Sequence, residues 1–305
     1  MRVAAIDLGT NSTRLLVADV DGNGIEELVR RTTITRLGEG VDQRRKLLPL
    51  PIARVRNCLS DYRREAERLG AERTLAVATS AVRDAENGEA FLGEVEWSYG
   101  FATRLLSGDA EAELMLRGLG GVDDGTLVLD VGGGSTELVT SNAVTSLDVG
   151  SVRMTERFLA SDPPTHDELD ACAAFVRAAL PPLRPVRAIG VAGTVTTLAA
   201  LDLQLDAYDS ERVHGHQLSR AGVERQLARL AALPLAERRR VPALNAARAP
   251  VIVAGAVIVR EVLVTYGLDG LTVSERDILD GIALAAAELP EPVEGDAPPG
   301  AYTCC

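Results

Sequence analysis

Apolar and polar positions alternate at the start of the chain: residues 2–7 and 13–20 carry aliphatic and β-branched side chains, and 9–12 between them are small and polar. Alternation of this kind belongs to strands, so the chain opens on two strands joined by a turn. A third strand is predicted at 26–35, before RLGEGVD. Helical spacing takes over at 51–69 and stops at Gly70, a residue suited to ending a helix. A strand at 74–78, the polar break TSAVRDAENG, a short helix start at 88–94 and a helix at 109–119 complete the first half.

Glycines and aspartates at 120–125 mark a boundary, after which the pattern starts again. A strand at 126–131, a Gly-rich turn and another strand are followed by an apolar strand at 187–191. The stretch GVAGTVTTLAAL, 190–201, reads as a loop feeding a helix; further helices are predicted at 224–233 and 249–267, and 274–288 closes the ordered fold. The expected domains are 1–124 and 125–289, with a flexible acidic, Pro- and Gly-containing tail at 290–305. An α/β chain with an internal duplication would set its two halves across a cleft.

The two halves begin alike. AIDLGTNSTRLLV (5–17) and VLDVGGGSTELVT (128–140) share Asp, apolar, Gly, two variable positions, Ser-Thr, variable, Leu. Glycine lets backbone N–H groups approach a ligand with no Cβ in the way, and successive N–H groups form concave anion sites. Ser12, Thr13, Ser135 and Thr136 can add hydroxyl donors, and Asp7 and Asp130 can hold a hard divalent cation. Either copy alone reads as a polar turn whose Asp caps its own backbone. Two copies, each heading a half, favour a phosphate chain with Mg2+. Neither G-x-G-x-x-G nor G-K-[ST] occurs at a strand-to-helix junction, which excludes the Rossmann and P-loop fingerprints.

Composition narrows the partners. A net charge of −12 argues against a broad nucleic-acid surface, which needs a basic face, so a polyanion must be met locally. No apolar run reaches the ~20 residues that span a bilayer, and the N-terminus starts directly on a strand pattern, so the expected location is cytoplasmic with no membrane partner. Cys58, Cys172, Cys304 and Cys305 lack zinc-ligand spacing and read as reduced thiols.

The segments AIDLGTNS, TSAVRDAENG, SGDAEAEL, LDVGGGSTEL, DVGSVRMTERF, GVAGTVTTLAAL and VHGHQLS occur in the order found in the exopolyphosphatase and guanosine pentaphosphate phosphohydrolase (Ppx/GppA) family, which the chain resembles over about residues 3–288. That resemblance implies duplicated ribonuclease-H-like domains of the actin, hexokinase and Hsp70 superfamily, in a short form without additional C-terminal helical domains. It implies a hydrolase releasing terminal phosphate from polyphosphate or from pppGpp, with Mg2+ or Mn2+, as a homodimer.

Residue by residue, the resemblance places the catalytic carboxylate on Glu111 and the phosphate-contacting arginine on Arg83, whose guanidinium forks onto phosphate oxygens. It places Asp130, Gly132 and Glu137 on metal and phosphate binding, with Gly133, Gly134 and Ser135 completing the cradle, and Asp7 at its strand end remains a further metal candidate from the residues themselves. In the first turn Gly9, Asn11, Ser12 and Thr13 are the phosphate-facing set. The family usually has a second glutamate just before the catalytic one; here that position is Ala110, with Asp109 or Glu113 as electrostatic substitutes. Arg14 and Arg153 are weaker candidates, each equally readable as a surface arginine, and the runs 30–31, 44–46 and 238–240 read as solvated faces. His214 and His216 would share one face of a strand but lack carboxylate or cysteine partners for a metal. Two other classes remain open: a kinase of the same superfamily, and a non-catalytic alarmone or polyphosphate sensor, which Ala110 keeps alive.

Overall fold

The computed structural model describes residues 1–22 and 24–290, and the chain divides into two compact units. One comprises Met1–Gly121 together with the described residues from Asp277 onward; the other is Val122–Arg276. This corrects the expected 125–289 domain: helix Ile278–Ala287 packs in the first unit, against its strands and its helix Gly108–Leu119. The expected tail at 290–305, with Cys304 and Cys305, lies outside the described residues except for Pro290.

In the first unit, β1 (Arg2–Leu8), β2 (Thr13–Asp21), β3 (Gly24–Thr33), β4 (Arg73–Ala78) and β5 (Ala102–Leu105) form a sheet ordered β3-β2-β1-β4-β5. The first three are an antiparallel meander, and β4 and β5 continue parallel to β1. The second unit repeats the scheme with β6 (Thr126–Val131), β7 (Thr136–Val139), β8 (Val144–Leu147), β9 (Arg187–Val191), β10 (Gln217–Ser219) and β11 (Gly270–Val273), ordered β10-β11-β9-β6-β7-β8. Here β6, β7 and β8 are the meander, β9 and β11 the parallel side, and β10 an added antiparallel edge. These are the duplicated ribonuclease-H-like domains expected from the sequence.

Parallel neighbours need a crossover, and helices Pro49–Leu69 and Gly88–Tyr99 supply it before β4 and β5. Alternation along β1 sends Ala4, Ile6 and Leu8 into a core with Val55, Leu59 and Tyr62 of the first crossover helix. Val3, Ala5 and Asp7 go to the other face, and all are buried. In the second unit Leu127, Leu129 and Leu138 pack with helices Ala192–Asp202 and Ile252–Thr265, the latter buried almost all round.

Several elements differ from expectation. The polar break contains a one-turn helix, Ser80–Arg83, and the short helix start at 88–94 runs on to Tyr99, ending at a left-handed Gly100. β5 and the helices Ser151–Phe158 and His166–Ala179 were not anticipated. The stretch after Gly190 is not a loop: the helix begins at Ala192, whose φ is +60°, directly after β9. Cys58 and Cys172 are free buried thiols. Among the described residues no helix is long and apolar enough to cross a membrane.

Helices Gly108–Leu119 and Ile278–Ala287 cross at backbone contact. A Cβ on Gly281 would lie 1.8 Å from the carbonyl oxygen of Leu114, and one on Gly118 2.1 Å from that of Asp277. Gly281→Ala is therefore expected to destabilise by about 1–3 kcal/mol, the usual range for overpacking. Gly93→Ala, in helix Gly88–Tyr99 where a methyl meets nothing within 4 Å, is expected to stabilise by about 0.5–1 kcal/mol. Thermal unfolding of both variants beside the parent checks the contrast; an unchanged Tm for Gly281→Ala would contradict the close crossing.

Candidate functional site

The turn between β1 and β2 is closed by Gly9 N–H donating to Ser12 O at 3.0 Å. The carbonyls of Thr10 and Asn11 are held by the segment that follows β3. Gly38 N–H donates to Thr10 O at 2.8 Å, and Thr35 and Arg36 N–H donate to Asn11 O at 3.1 and 2.9 Å. The N–H groups of Thr10, Asn11 and Ser12 have no acceptor among the described residues. Consecutive unused N–H groups are what an anion nest requires. Asn11 Oδ1 is also buried without a partner, whereas the Thr13 hydroxyl is buried against Thr35 Oγ1 at 2.9 Å and cannot serve a ligand as expected. A Cβ on Gly9 would come within 2.9 Å of Ser12 O and within 4 Å of both Asp7 carboxylate oxygens, so the acid sits beside the turn.

Arg14 is not a surface arginine. It lies directly across β1/β2 from Asp7, donates to Asp7 Oδ2 at 2.9 Å through Nε, and donates through a terminal nitrogen to Asp277 Oδ2. Asp277 is the N-cap of helix Ile278–Ala287, where its Oδ1 accepts Leu279 N–H at 2.9 Å. Its own N–H donates to Asp280 Oδ2 at 3.0 Å, and Asp280 Oδ1 accepts from Arg30 at 3.0 Å. Arg30 is thus partly buried in this network and does not belong to a solvated run. Burial pushes the Asp7 carboxyl above its ordinary range, with Arg14 opposing. Burial acts on Asp277 too, but Arg14, Arg30 and the Leu279 N–H together hold it below. Of the two acids sharing Arg14, Asp277 is the stronger. Asp7 Oδ1 is buried and has no hydrogen-bond partner.

Elsewhere in the same unit, Thr10 Oγ1 lies 2.8 Å from Ser80 Oγ, linking the turn to the one-turn helix that ends in Arg83. Arg83 donates to Leu106 O at 2.6 Å, and its guanidinium stands 3.6 Å from Glu111 Oε2. Glu111 occupies the first turn of helix Gly108–Leu119, whose N-cap Ser107 accepts Ala110 N–H; its side chain is only 12% exposed. Asp109 and Glu113 are both exposed, Asp109 in the first turn of the same helix.

The second unit repeats the turn with different bracing. Gly132 N–H donates to Ser135 O at 3.0 Å. Helix Ser151–Phe158 uses its first N–H groups on the loop: Ser151 donates to Gly132 O at 2.9 Å, and Val152 and Arg153 donate to Gly133 O at 2.8 and 3.2 Å. Arg153 Nε adds a bond to Gly134 O at 2.7 Å, so Arg153 is a buried brace and not a surface residue. Gly133, Gly134 and Ser135 then keep N–H groups that have no acceptor among the described residues. The Thr136 hydroxyl is committed to Val149 O.

Asp130 and Glu137 are buried partners directly across β6/β7, with Ser146 Oγ donating to Glu137 Oε1 at 2.8 Å. Among the described residues no cluster of three or more His, Cys, Asp or Glu side chains could hold a metal, as a protein-only cage would demand. Mg2+ makes no such demand, because it takes one or two carboxylates and completes its shell with water and phosphate oxygens. Asp130 and Glu137 fit it. In the first unit the residue matching Glu137 is Arg14, already bound to Asp7, so a cation's place opposite that acid is taken by a guanidinium.

His214 and His216 do not share a strand. His214 caps the short helix Ser210–Val213 and accepts Glu275 N–H at 3.2 Å, and His216 Nε2 lies 3.2 Å from Asp202 Oδ2. Thr10, Ser80 and Asp277 were missed by sequence reasoning. The capping pattern of Asp277 and Asp280 was legible, but its partner Arg14 is 263 positions away.

Residues 16–288 match the Ppx/GppA phosphatase family. Exopolyphosphatase 2 of Mycobacterium tuberculosis is 42% identical over 94% of this chain and 98% of its own length. An exopolyphosphatase-like protein of known crystal structure is 34% identical, with a TM-score of 0.87 over 95% of this chain and 100% of its own. The Aquifex aeolicus PPX-GPPA enzyme is 32% identical, with a TM-score of 0.78 over 93% of this chain and 99% of its own.

Gly150 tests the bracing without touching a ligand. A Cβ there would lie 2.3 Å from Gly133 O and 2.4 Å from Gly134 C. Gly150→Ala is expected to displace the loop and weaken tripolyphosphate binding by tenfold or more, about 1.4 kcal/mol. Calorimetric titration measures it, and parent-like affinity would show that the loop's position is immaterial.

Proposed function

The chain belongs to the Ppx/GppA phosphatase family, and on that premise we propose that it hydrolyses the terminal phosphoanhydride of inorganic polyphosphate, with the 5′ γ-phosphate of pppGpp as the second substrate. The coarser part, a phosphoanhydride hydrolase, follows from the family. Polyphosphate is favoured because the 42%-identical mycobacterial relative is an exopolyphosphatase. The observation that carries the reading is the pair of turns whose N–H groups are left for an anion while their carbonyls are tied off.

Phosphoryl transfer to water is catalysed mainly by positioning and by stabilising charge on the moving group. In the first unit Thr10, Asn11 and Ser12 supply N–H donors to phosphate oxygens, and Arg83 adds a guanidinium. Glu111, held beside Arg83, accepts a proton from the attacking water as its oxygen bonds to the terminal phosphorus. The bridging P–O bond breaks and its electron pair leaves with the chain, giving orthophosphate and a chain one unit shorter. The second unit, taken by itself, offers a turn of the same kind with the N–H groups of Gly133, Gly134 and Ser135, and Asp130 and Glu137 there would hold Mg2+ or Mn2+. Such an ion, when bound, would neutralise charge on phosphate oxygens.

Glu111→Gln keeps the side chain's size and removes its basicity. It is expected to bind tripolyphosphate like the parent while kcat falls about 10²–10⁴-fold, the usual worth of a general base. Phosphate release is measured on short and long polyphosphate, pppGpp and ATP, with Mg2+ and with Mn2+. Parent-like turnover by Glu111→Gln would remove Glu111 from its role. Binding by the parent with no release on any substrate would make the protein a sensor, and release that required an acceptor would make it a kinase.

A further inference from the structure

Asp277 stands out among the buried charges because no part of the proposed chemistry uses it. It is the residue at which the chain re-enters the first unit, and it is 4% exposed in its side chain. Its carboxylate has two separate tasks: Oδ1 caps the helix by accepting Leu279 N–H, while Oδ2 grips Arg14. A helix cap needs only the first. The second brings a buried acid to a guanidinium that already serves Asp7, so Arg14 is held between two carboxylates, one on each side.

The grip has a consequence for Asp7. Oδ2 accepts from Arg14 Nε and pairs with a terminal nitrogen at 2.8 Å, so the carboxylate is gripped through that oxygen, and Oδ1 is buried, without a partner and beside Gly9 of the turn. An unsatisfied buried acceptor is costly unless something supplies a donor. Water is the donor this chemistry brings to a phosphate-binding turn.

We propose that Asp277 is a positioning residue for hydrolysis: through Arg14 it fixes the Asp7 carboxylate so that Oδ1 orients a substrate-side water at the first turn. The proposal rests on the hydrolase reading above. It assigns Asp277 no contact with substrate, and it separates that residue from Asp280, which serves the same helix cap and Arg30 but does not touch Arg14.

Asp277→Asn keeps an oxygen for Leu279 N–H and removes the charge that grips Arg14. The expected result is a fall in kcat of tenfold or more with KM within about threefold of the parent, the pattern of an interaction realised in the transition state. Arg14→Gln should fall similarly, and Arg14→Gln with Asp277→Asn should be no worse than the poorer single variant, because residues in one network are not additive. Asp280→Asn should lower Tm while leaving kcat near the parent's. The Arg14 Nε–H resonance, read by NMR without substrate, should shift or broaden in Asp277→Asn and stay in place in Asp280→Asn. Parent-like kcat in Asp277→Asn, additive losses in the double variant, or an unmoved Arg14 resonance would overturn the proposal. Failure of the parent to release phosphate overturns the hydrolase reading instead, and the resonance still reports whether Asp277 positions Arg14.

Discussion

What the two glycine-bearing turns can do is decided by their carbonyl groups. A short turn normally offers both polarities of backbone to its surroundings, and an anion would meet repulsion from the oxygens as well as attraction from the N–H groups. Here Thr10 and Asn11 lose their oxygens to the segment at 35–38, and Gly132, Gly133 and Gly134 lose theirs to the first residues of helix Ser151–Phe158. What remains of the backbone at residues 10–12 and 133–135 is N–H groups whose carbonyl neighbours are already bonded. The close approach of Gly38 to Thr10 and of Gly150 to Gly133 goes with this constraint, since Gly38 N–H itself bonds Thr10 O and Gly150 leads into the N–H groups that bond Gly132 and Gly133.

Duplication preserved that device and let the chemistry around it diverge. At matching positions of the hairpins the first unit has Asp7 opposite Arg14 and the second has Asp130 opposite Glu137. An acid facing a guanidinium is a closed pair with one oxygen to spare; two acids facing each other, with Ser146 on one of them, make an oxygen-rich site suited to a hard cation. The inherited scaffold is symmetric, and the electrostatics laid on it are not.

Much of this was legible because period-two strands and repeated turn residues are local signals. The hairpins and the halves' common start were readable from motifs alone. Thr13 and Thr136 misled because a hydroxyl in a turn motif looks available, and only the fold shows Thr35 and Val149 O consuming it. Arg14 and Arg153 misled for the converse reason: arginine in a variable position looks solvated until burial places it on carboxylates and carbonyls. Helix His166–Ala179 was overlooked although Thr165 and Glu168 form its capping box, a signal the sequence contained. No local pattern could reveal that helix Ile278–Ala287 belongs with strands made at the opposite end of the chain.

That return of the chain bears on how the protein is made. During synthesis the residues of the first unit's hairpin leave the ribosome ahead of the whole second unit, with Arg14 and Arg30 destined for a buried face. Their acids Asp277 and Asp280, and the helix that covers Gly118, are among the last described residues to be translated. The second unit, continuous from Val122 to Arg276, has its whole sequence available earlier. Domains generally fold as units during translation, so the unit that begins first is the one that finishes last.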